Sequence, residues 1–178
     1  MIVLITGASH TGKTSLAQKL LEKTGFPYLS IDHLKMGLIR SGYTTLTPED
    51  DDKLTDYLWP VVREMIKTAI ENKQNLVVEG CYIPPEWRKD FDKTYLSEIR
   101  FVCLALSDSY IDSSFDKIIS HANDIEVRLD DSYCVQNFVK EDNENVIKIF
   151  TAAGEKVTVI SENYESAVER VIDEIINA

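Results

Sequence analysis

The sequence predicts an α/β protein built on a parallel sheet with helices on both faces, and three observations carry that expectation. Short apolar, β-branched runs alternate with amphipathic helical stretches along the whole chain, as they do where each strand returns to a sheet through a helix. Five such runs can be found, which fits one domain of 178 residues with no second large unit. The first run, Ile2 to Thr6, is apolar nearly throughout, the pattern of a parallel strand covered on both faces.

Taken in order, Ile2 to Thr6 is the first strand and Ser15 to Lys23 the first helix. Leu16, Leu20 and Leu21 recur there at helical spacing, and Gly25 is placed to end the element. Phe26 to Asp32 reads as a second short strand ending in a carboxylate, followed by a brief helix from His33 closed by Gly42. A long helix from about Pro48 to Asn72 comes next, with Leu54, Leu58, Val61, Val62, Met65, Ile66 and Ile70 as its apolar face. Pro60 in its interior predicts a kink. The acidic run Glu49 to Lys53 complements the positive end of that helix and reads as a solvated N-terminus, not a metal site. Asn75 to Gly80, Ile99 to Leu106 and Lys156 to Ile160 are the remaining strands. Helices at Val135 to Ala152 and Tyr164 to Ile176 complete the alternation.

Ligands of such sheets sit beyond the carboxyl ends of the strands. That rule selects Gly7 to Thr14, Asp32, Glu79 with Gly80, and Ser107 with Asp108. The stretch GASHTGKT, Gly7 to Thr14, has the spacing G-x-x-x-x-G-K-[ST] between a strand and a helix, the order a phosphate cradle needs. Gly7, Ala8, Ser9, His10, Thr11, Gly12, Lys13, Thr14 and Ser15 are the expected nucleotide-binding residues. The amides of His10 to Thr14 and the positive end of the helix would hold a β-phosphate. Lys13 would reach the β- and γ-phosphates, and the Thr14 hydroxyl would ligate Mg²⁺. His10 fills a free position of the motif and is expected to contribute its backbone.

Composition narrows the function further. The formal net charge of −11 argues against a surface that tracks nucleic-acid phosphates. Cys81, Cys103 and Cys134 are odd in number and lack metal-site spacing, so a reduced, cytoplasmic setting is expected, with Cys81 and Cys103 as core filler. The apolar N-terminal run is too short to cross a bilayer and has no basic leader, so neither a membrane anchor nor a signal peptide is expected.

The acceptor side is less sharply marked. Asp32 can orient a hydroxyl and take its proton, and can equally cap the helix that follows; the two roles are compatible. Glu79 can hold a magnesium-bound water or the acceptor, whereas Asp108 looks like a helix cap. An anionic acceptor would call on Arg40, Arg63 or Arg88, each of which has a surface ion pair as its alternative. The polar segment at about 108–133 is a candidate lid, with Arg128 placed to stabilise charge on a transferring phosphoryl group. Tyr133 and Tyr164 are candidates for contact with a base, or for ordinary packing.

GASHTGKT, SID after the second strand, VVEG closing the third and the polar segment after the fourth together resemble the small-molecule branch of the P-loop kinases. That branch includes adenylate, shikimate and gluconate kinases, chloramphenicol phosphotransferase and the zeta toxins. The stretch SIDHLKMGLIRSG also resembles proteins described as 2-phosphoglycerate kinase-like. The resemblance implies a three-layer P-loop NTPase fold whose five-stranded parallel sheet has the order 2-3-1-4-5. It implies ATP with Mg²⁺ as donor, a small-molecule acceptor, Lys13 and Thr14 as ATP and metal ligands, and Asp32 as the acceptor's base. Gly80 falls where such proteins bring backbone close to the acceptor.

Two departures stand out. From Phe101 onward only Arg128 and Arg170 are arginines, fewer than the lid of many members carries. The signature of a true adenylate kinase is absent at VEGCYIPP. The expected activity is transfer of the γ-phosphoryl group of ATP to a hydroxyl of a small metabolite, by a monomer or homodimer. The alternatives are a nucleotide-binding regulatory domain without transfer and a zeta-toxin-like kinase of nucleotide sugars.

Overall fold

The computed structural model describes residues 1–121, 125 and 134–177. Five strands, β1 (Ile2–Gly7), β2 (Tyr28–Ser30), β3 (Leu76–Glu79), β4 (Ile99–Leu106) and β5 (Val157–Ile160), form one sheet in the order β2-β3-β1-β4-β5. Every pairing in it is parallel. Among the described residues seven helices connect and cover them: α1 (Lys13–Thr24), α2 (Ile31–Arg40), α3 (Asp51–Glu71), α4 (Lys93–Leu96), α5 (Asp108–Ser120), α6 (Gln136–Ala152) and α7 (Tyr164–Asn177). The three-layer P-loop NTPase architecture and the strand order are those the resemblance implied.

The central strand shows why the layers form. Ile2, Val3, Leu4 and Ile5 are all fully buried, but successive side chains leave opposite faces of the sheet. Ile2 and Leu4 pack with Leu54, Leu58, Val62 and Ile66 of α3, while Val3 and Ile5 pack with Leu16, Ala17 and Leu20 of α1 and with Val168 and Ile172 of α7. Each such side chain contributes about 1.5–3 kcal/mol on burial, so β1 anchors both halves of the core and fixes the loop that leaves its carboxyl end.

Local chemistry moved several boundaries. The long helix begins at Asp51, not near Pro48, because the Asp50 carboxylate accepts from the Thr47 amide and hydroxyl at 3.0 and 3.1 Å and closes a separate turn before it. The same helix runs through Pro60 without a break, its buried face offsetting the missing amide. The second strand stops at Ser30, so Asp32 lies in the first turn of α2 and neither ends a strand nor caps the helix. At the head of α5 the cap is Ser107, whose hydroxyl accepts from the Tyr110 amide, and Asp108 is the first helical residue.

Between β3 and β4 the chain makes a short 3₁₀ turn, Trp87–Asp90, which buries Trp87 completely. Its ring stacks on Phe101 at 5.1 Å and meets Phe91 edge-on at 5.9 Å. Cys103 is buried as core filler, whereas Cys81 is exposed, because it lies past the end of β3 where the chain leaves the sheet.

Candidate functional site

The phosphate loop is held from below by its own side chains and from the flank by other elements. The Thr11 hydroxyl donates to the Ala8 carbonyl at 2.8 Å in a fully buried contact, and the Ser9 amide donates to Asp142 of α6 at 2.7 Å. Gly12 caps α1 in the left-handed region, with φ 77°, where a β-carbon would stand 1.8 Å from the Tyr164 hydroxyl. That tyrosine closes over the loop, its oxygen 3.4 Å from the carbonyls of Thr11 and Gly12. Burial pushes its phenol up to about 12, so it stays protonated. Lys13 begins the helix and folds back to donate to the Ala8 carbonyl at 2.8 Å. The opening amides of α1 have no partner within the helix, which makes this end an anion site.

The other end of the site is made of side chains. Glu79, the last residue of β3, is almost wholly buried, and the Thr14 hydroxyl donates to its Oε2 at 3.3 Å. Asp32 pairs with Lys35, one helical turn along α2, at 2.6 Å. The same ammonium donates to the Tyr82 hydroxyl at 2.8 Å and lies 4.9 Å from the centre of that ring. Tyr82 in turn donates to Asp51, at the start of α3, also at 2.8 Å. Burial pulls the Lys35 amine down, but the charge and hydrogen bond of Asp32 outweigh it and the net shift is upward. Burial drives the Tyr82 phenol far above its ordinary value, so it remains a neutral donor.

A cavity of about 700 Å³ joins the two ends. Gly12, Lys13, Thr14 and Ser15 line it together with Asp32 and Glu79, and Tyr110, Lys117, His121 and Tyr164 are also part of its wall. His10 lines it too, in a left-handed conformation with φ 61°, although only its backbone was expected to matter. Tyr110 and Ile118 of α5, Ile125, and Tyr164 at the start of α7 give the wall an apolar and aromatic part that suits a flat base.

The structure therefore brings together Lys13, Thr14, Asp32 and Glu79, and leaves the predicted arginines elsewhere. Arg88 forks onto the buried Glu155 at 2.5 and 3.0 Å, with its guanidinium 4.5 Å over the Trp87 ring. Arg63 pairs with Glu64 and Asp90, at 2.8 and 3.7 Å. Arg40 is exposed in the last turn of α2. None of the three lines the cavity. At Gly80, φ 153°, a β-carbon would stand 2.9 Å from that of Ile31, so this glycine lets the end of β3 lie against the start of α2. Arg128, Tyr133 and most of the second half of the expected lid lie outside the described residues; its first part, 108–120, is the helix α5, kinked at Ser114, where φ is −133°. The residues that sequence reasoning missed are Lys35, Tyr82 and Asp51. The three-residue step from Asp32 was a usable signal for Lys35, whereas the other two meet it only through the fold.

A hydroxyl and a carboxylate are hard oxygen donors, the set that suits Mg²⁺ kept in place by water and substrate phosphates. Among the described residues no group of three or more His, Cys, Asp or Glu side chains is arranged to hold a metal by itself. The donors present fit a magnesium that arrives with a polyphosphate.

A sequence model described as an AAA domain matches residues 2–109, more than half of the chain. The chain belongs to that family. No curated protein matches this AAA domain protein in sequence. In fold it is similar to a shikimate kinase from Bacteroides thetaiotaomicron, with a TM-score of 0.61 at 16% identity over 100% of this chain and 99% of that one. A deoxyadenosine kinase from M. mycoides gives 0.57 at 12% identity, with 100% of both chains covered. A gluconokinase from Sinorhizobium meliloti gives 0.51 at 13%, over 98% of this chain and 94% of that one. At these identities the likeness is one of fold, and that fold is shared by small-molecule kinases of the nucleoside monophosphate kinase-like branch.

Proposed function

We propose that this protein is an ATP- and magnesium-dependent kinase that transfers the γ-phosphoryl group to a hydroxyl of a small molecule. The observation that carries the reading is the convergence of Lys13, Thr14, Glu79 and Asp32 on one cavity whose wall also carries apolar and aromatic residues that suit a base. Each has a chemical part. Lys13, freed from the Ala8 carbonyl, neutralises charge on the β- and γ-phosphates, and the opening amides of α1 hold them. Thr14 and Glu79 would hold Mg²⁺, which supplies charge neutralisation on the phosphates when bound.

Asp32 accepts the proton of the attacking hydroxyl, and the Lys35 ammonium beside it holds that carboxylate in orientation. Arg128, in the expected lid within a single domain spanning 1–178, is the remaining candidate to stabilise the transferring group. No helix among the described residues is long and apolar enough to cross a membrane. None of the three cysteines is in a disulfide, which supports a reduced, cytoplasmic setting.

The test is direct. Calorimetry should detect ATP binding that strengthens with Mg²⁺, and incubation with γ-labelled ATP and a panel of hydroxylated metabolites should yield a labelled product. Binding without any labelled product across the panel would leave a nucleotide-binding domain and refute the kinase.

A further inference from the structure

Asp32 lines the cavity, and among the described residues the lysine paired with it is Lys35, which does not itself line the cavity and is already spent. Lys35 gives one hydrogen bond to Asp32 at 2.6 Å and one to Tyr82 at 2.8 Å, and its side chain is only 12% exposed. Beyond Tyr82 stands a second carboxylate, Asp51, which accepts a hydrogen bond from the phenol. Lys13 and Glu79 serve the phosphates and Thr14, so among the described residues of the hydrogen-bonded chain beside Asp32 there are two carboxylates, Asp32 and Asp51, against one ammonium, Lys35.

An acceptor carboxylate or phosphate entering beside Asp32 would meet a net negative wall. It would have to take Lys35 away from two existing partners, leaving Asp32 and the Tyr82 oxygen short of a donor in a partly desolvated place. A neutral hydroxyl compound asks for no such exchange. An amine is attracted by the surplus carboxylate.

We propose that the acceptor is a hydroxyl compound that is uncharged or bears an amine where it faces Asp32, and that Tyr82 and Asp51 set this selectivity by keeping Lys35 occupied. The inference rests on the kinase reading for the site's location. Its logic, however, concerns charge alone. Tyr82 and Asp51 act through Lys35 and are positioning residues; their effect falls on which acceptor is accepted, not on the phosphate loop.

The test compares four small probes of graded charge, glycerol, serinol, glycerate and glycerol 3-phosphate, added to the ADP- and magnesium-saturated protein. The side-chain NMR resonances of Lys35 and Asp32 report binding, and product formation is followed separately with ATP. In the wild type, glycerol and serinol should perturb Asp32 at lower concentration than either acid perturbs Lys35. In Tyr82→Phe, which keeps the ring and frees one Lys35 hydrogen bond, glycerate should bind about ten- to a hundredfold more tightly, the worth of one hydrogen bond to a charged group. An unchanged melting temperature and ADP affinity confirm that the variant is folded, and Asp51→Asn should shift selectivity in the same direction. Tighter binding of either acid than of glycerol in the wild type would overturn the proposal, as would a Tyr82→Phe protein no more receptive to glycerate. Should no probe be phosphorylated although ADP binds, the kinase reading suffers while the Lys35 and Asp32 resonances still decide the charge preference.

Discussion

The two ends of the cavity are built on different principles. At the phosphate end, the chemistry comes from consecutive backbone groups between Gly7 and Ser15, stiffened by Thr11 on Ala8 and covered by Tyr164. At the acceptor end it comes from single side chains: Glu79 of β3 and Asp32 of α2 line the cavity, and hydrogen bonds run from Asp32 through Lys35 of α2 and Tyr82 beyond β3 to Asp51 of α3. A cradle made of amides is indifferent to most side chains it carries and recognises what all nucleoside triphosphates share. A relay of side chains changes its charge with any one substitution, and it is here that members of one fold can diverge in acceptor.

That contrast can be broken by mutation. The largest effect is expected at the phosphate end: Lys13→Ala should lower kcat/KM by about 10²–10³-fold, the loss seen when one transition-state charge donor is removed. Its melting temperature should hold, because among the described residues the hydrogen bond its ammonium makes is the one to the Ala8 carbonyl, so a normal thermal transition with lost phosphoryl transfer is the pattern to look for. Normal turnover in that variant would remove the phosphate end from the chemistry.

At the acceptor end, Asp32→Asn should reduce kcat by about 10²-fold or more with the ATP affinity unchanged, as fits loss of a general base. An equal rise in the Kd for ATP would show that the two ends are not separate. Lys35 sharpens the same point through pH. Its folded value is raised, so its contribution to stability is complete below the ordinary lysine value of about 10.4 and is lost as the pH rises beyond it. Alkaline unfolding followed by circular dichroism should therefore be less steep for Lys35→Met.

Outside both ends, Arg88→Ala should cost about 3–5 kcal/mol of stability, since it strands the buried Glu155 carboxylate. The kcat of its folded fraction should be normal. Arg40→Ala, at an exposed helix end, should change stability by no more than about 0.5 kcal/mol and leave kinetics untouched, measured by denaturant titration and steady-state assay.

The phosphate loop was legible because its function demands a fixed spacing of glycine, lysine and threonine within eight adjacent residues, flanked by a strand and a helix. The acceptor end was half legible: Asp32 and Glu79 follow from the rule that ligands sit at strand ends, but Arg40, Arg63 and Arg88 do not line the cavity. A guanidinium stands out in an acidic sequence wherever it lies. Glu155, 67 residues from Arg88, was the partner that held it, and nothing local announces a pair at that separation.

By itself the sequence determined the alternation of strands and helices, the two-sided burial of Ile2 to Ile5 and the loop that follows them, because periodicity and local backbone geometry are written in neighbouring residues. Only the tertiary structure decided what surrounds Asp32. Hydrogen bonds and charge pairing act through space, and the fold placed Lys35, Tyr82 and Asp51 in a chain that no spacing between positions 32 and 82 specifies.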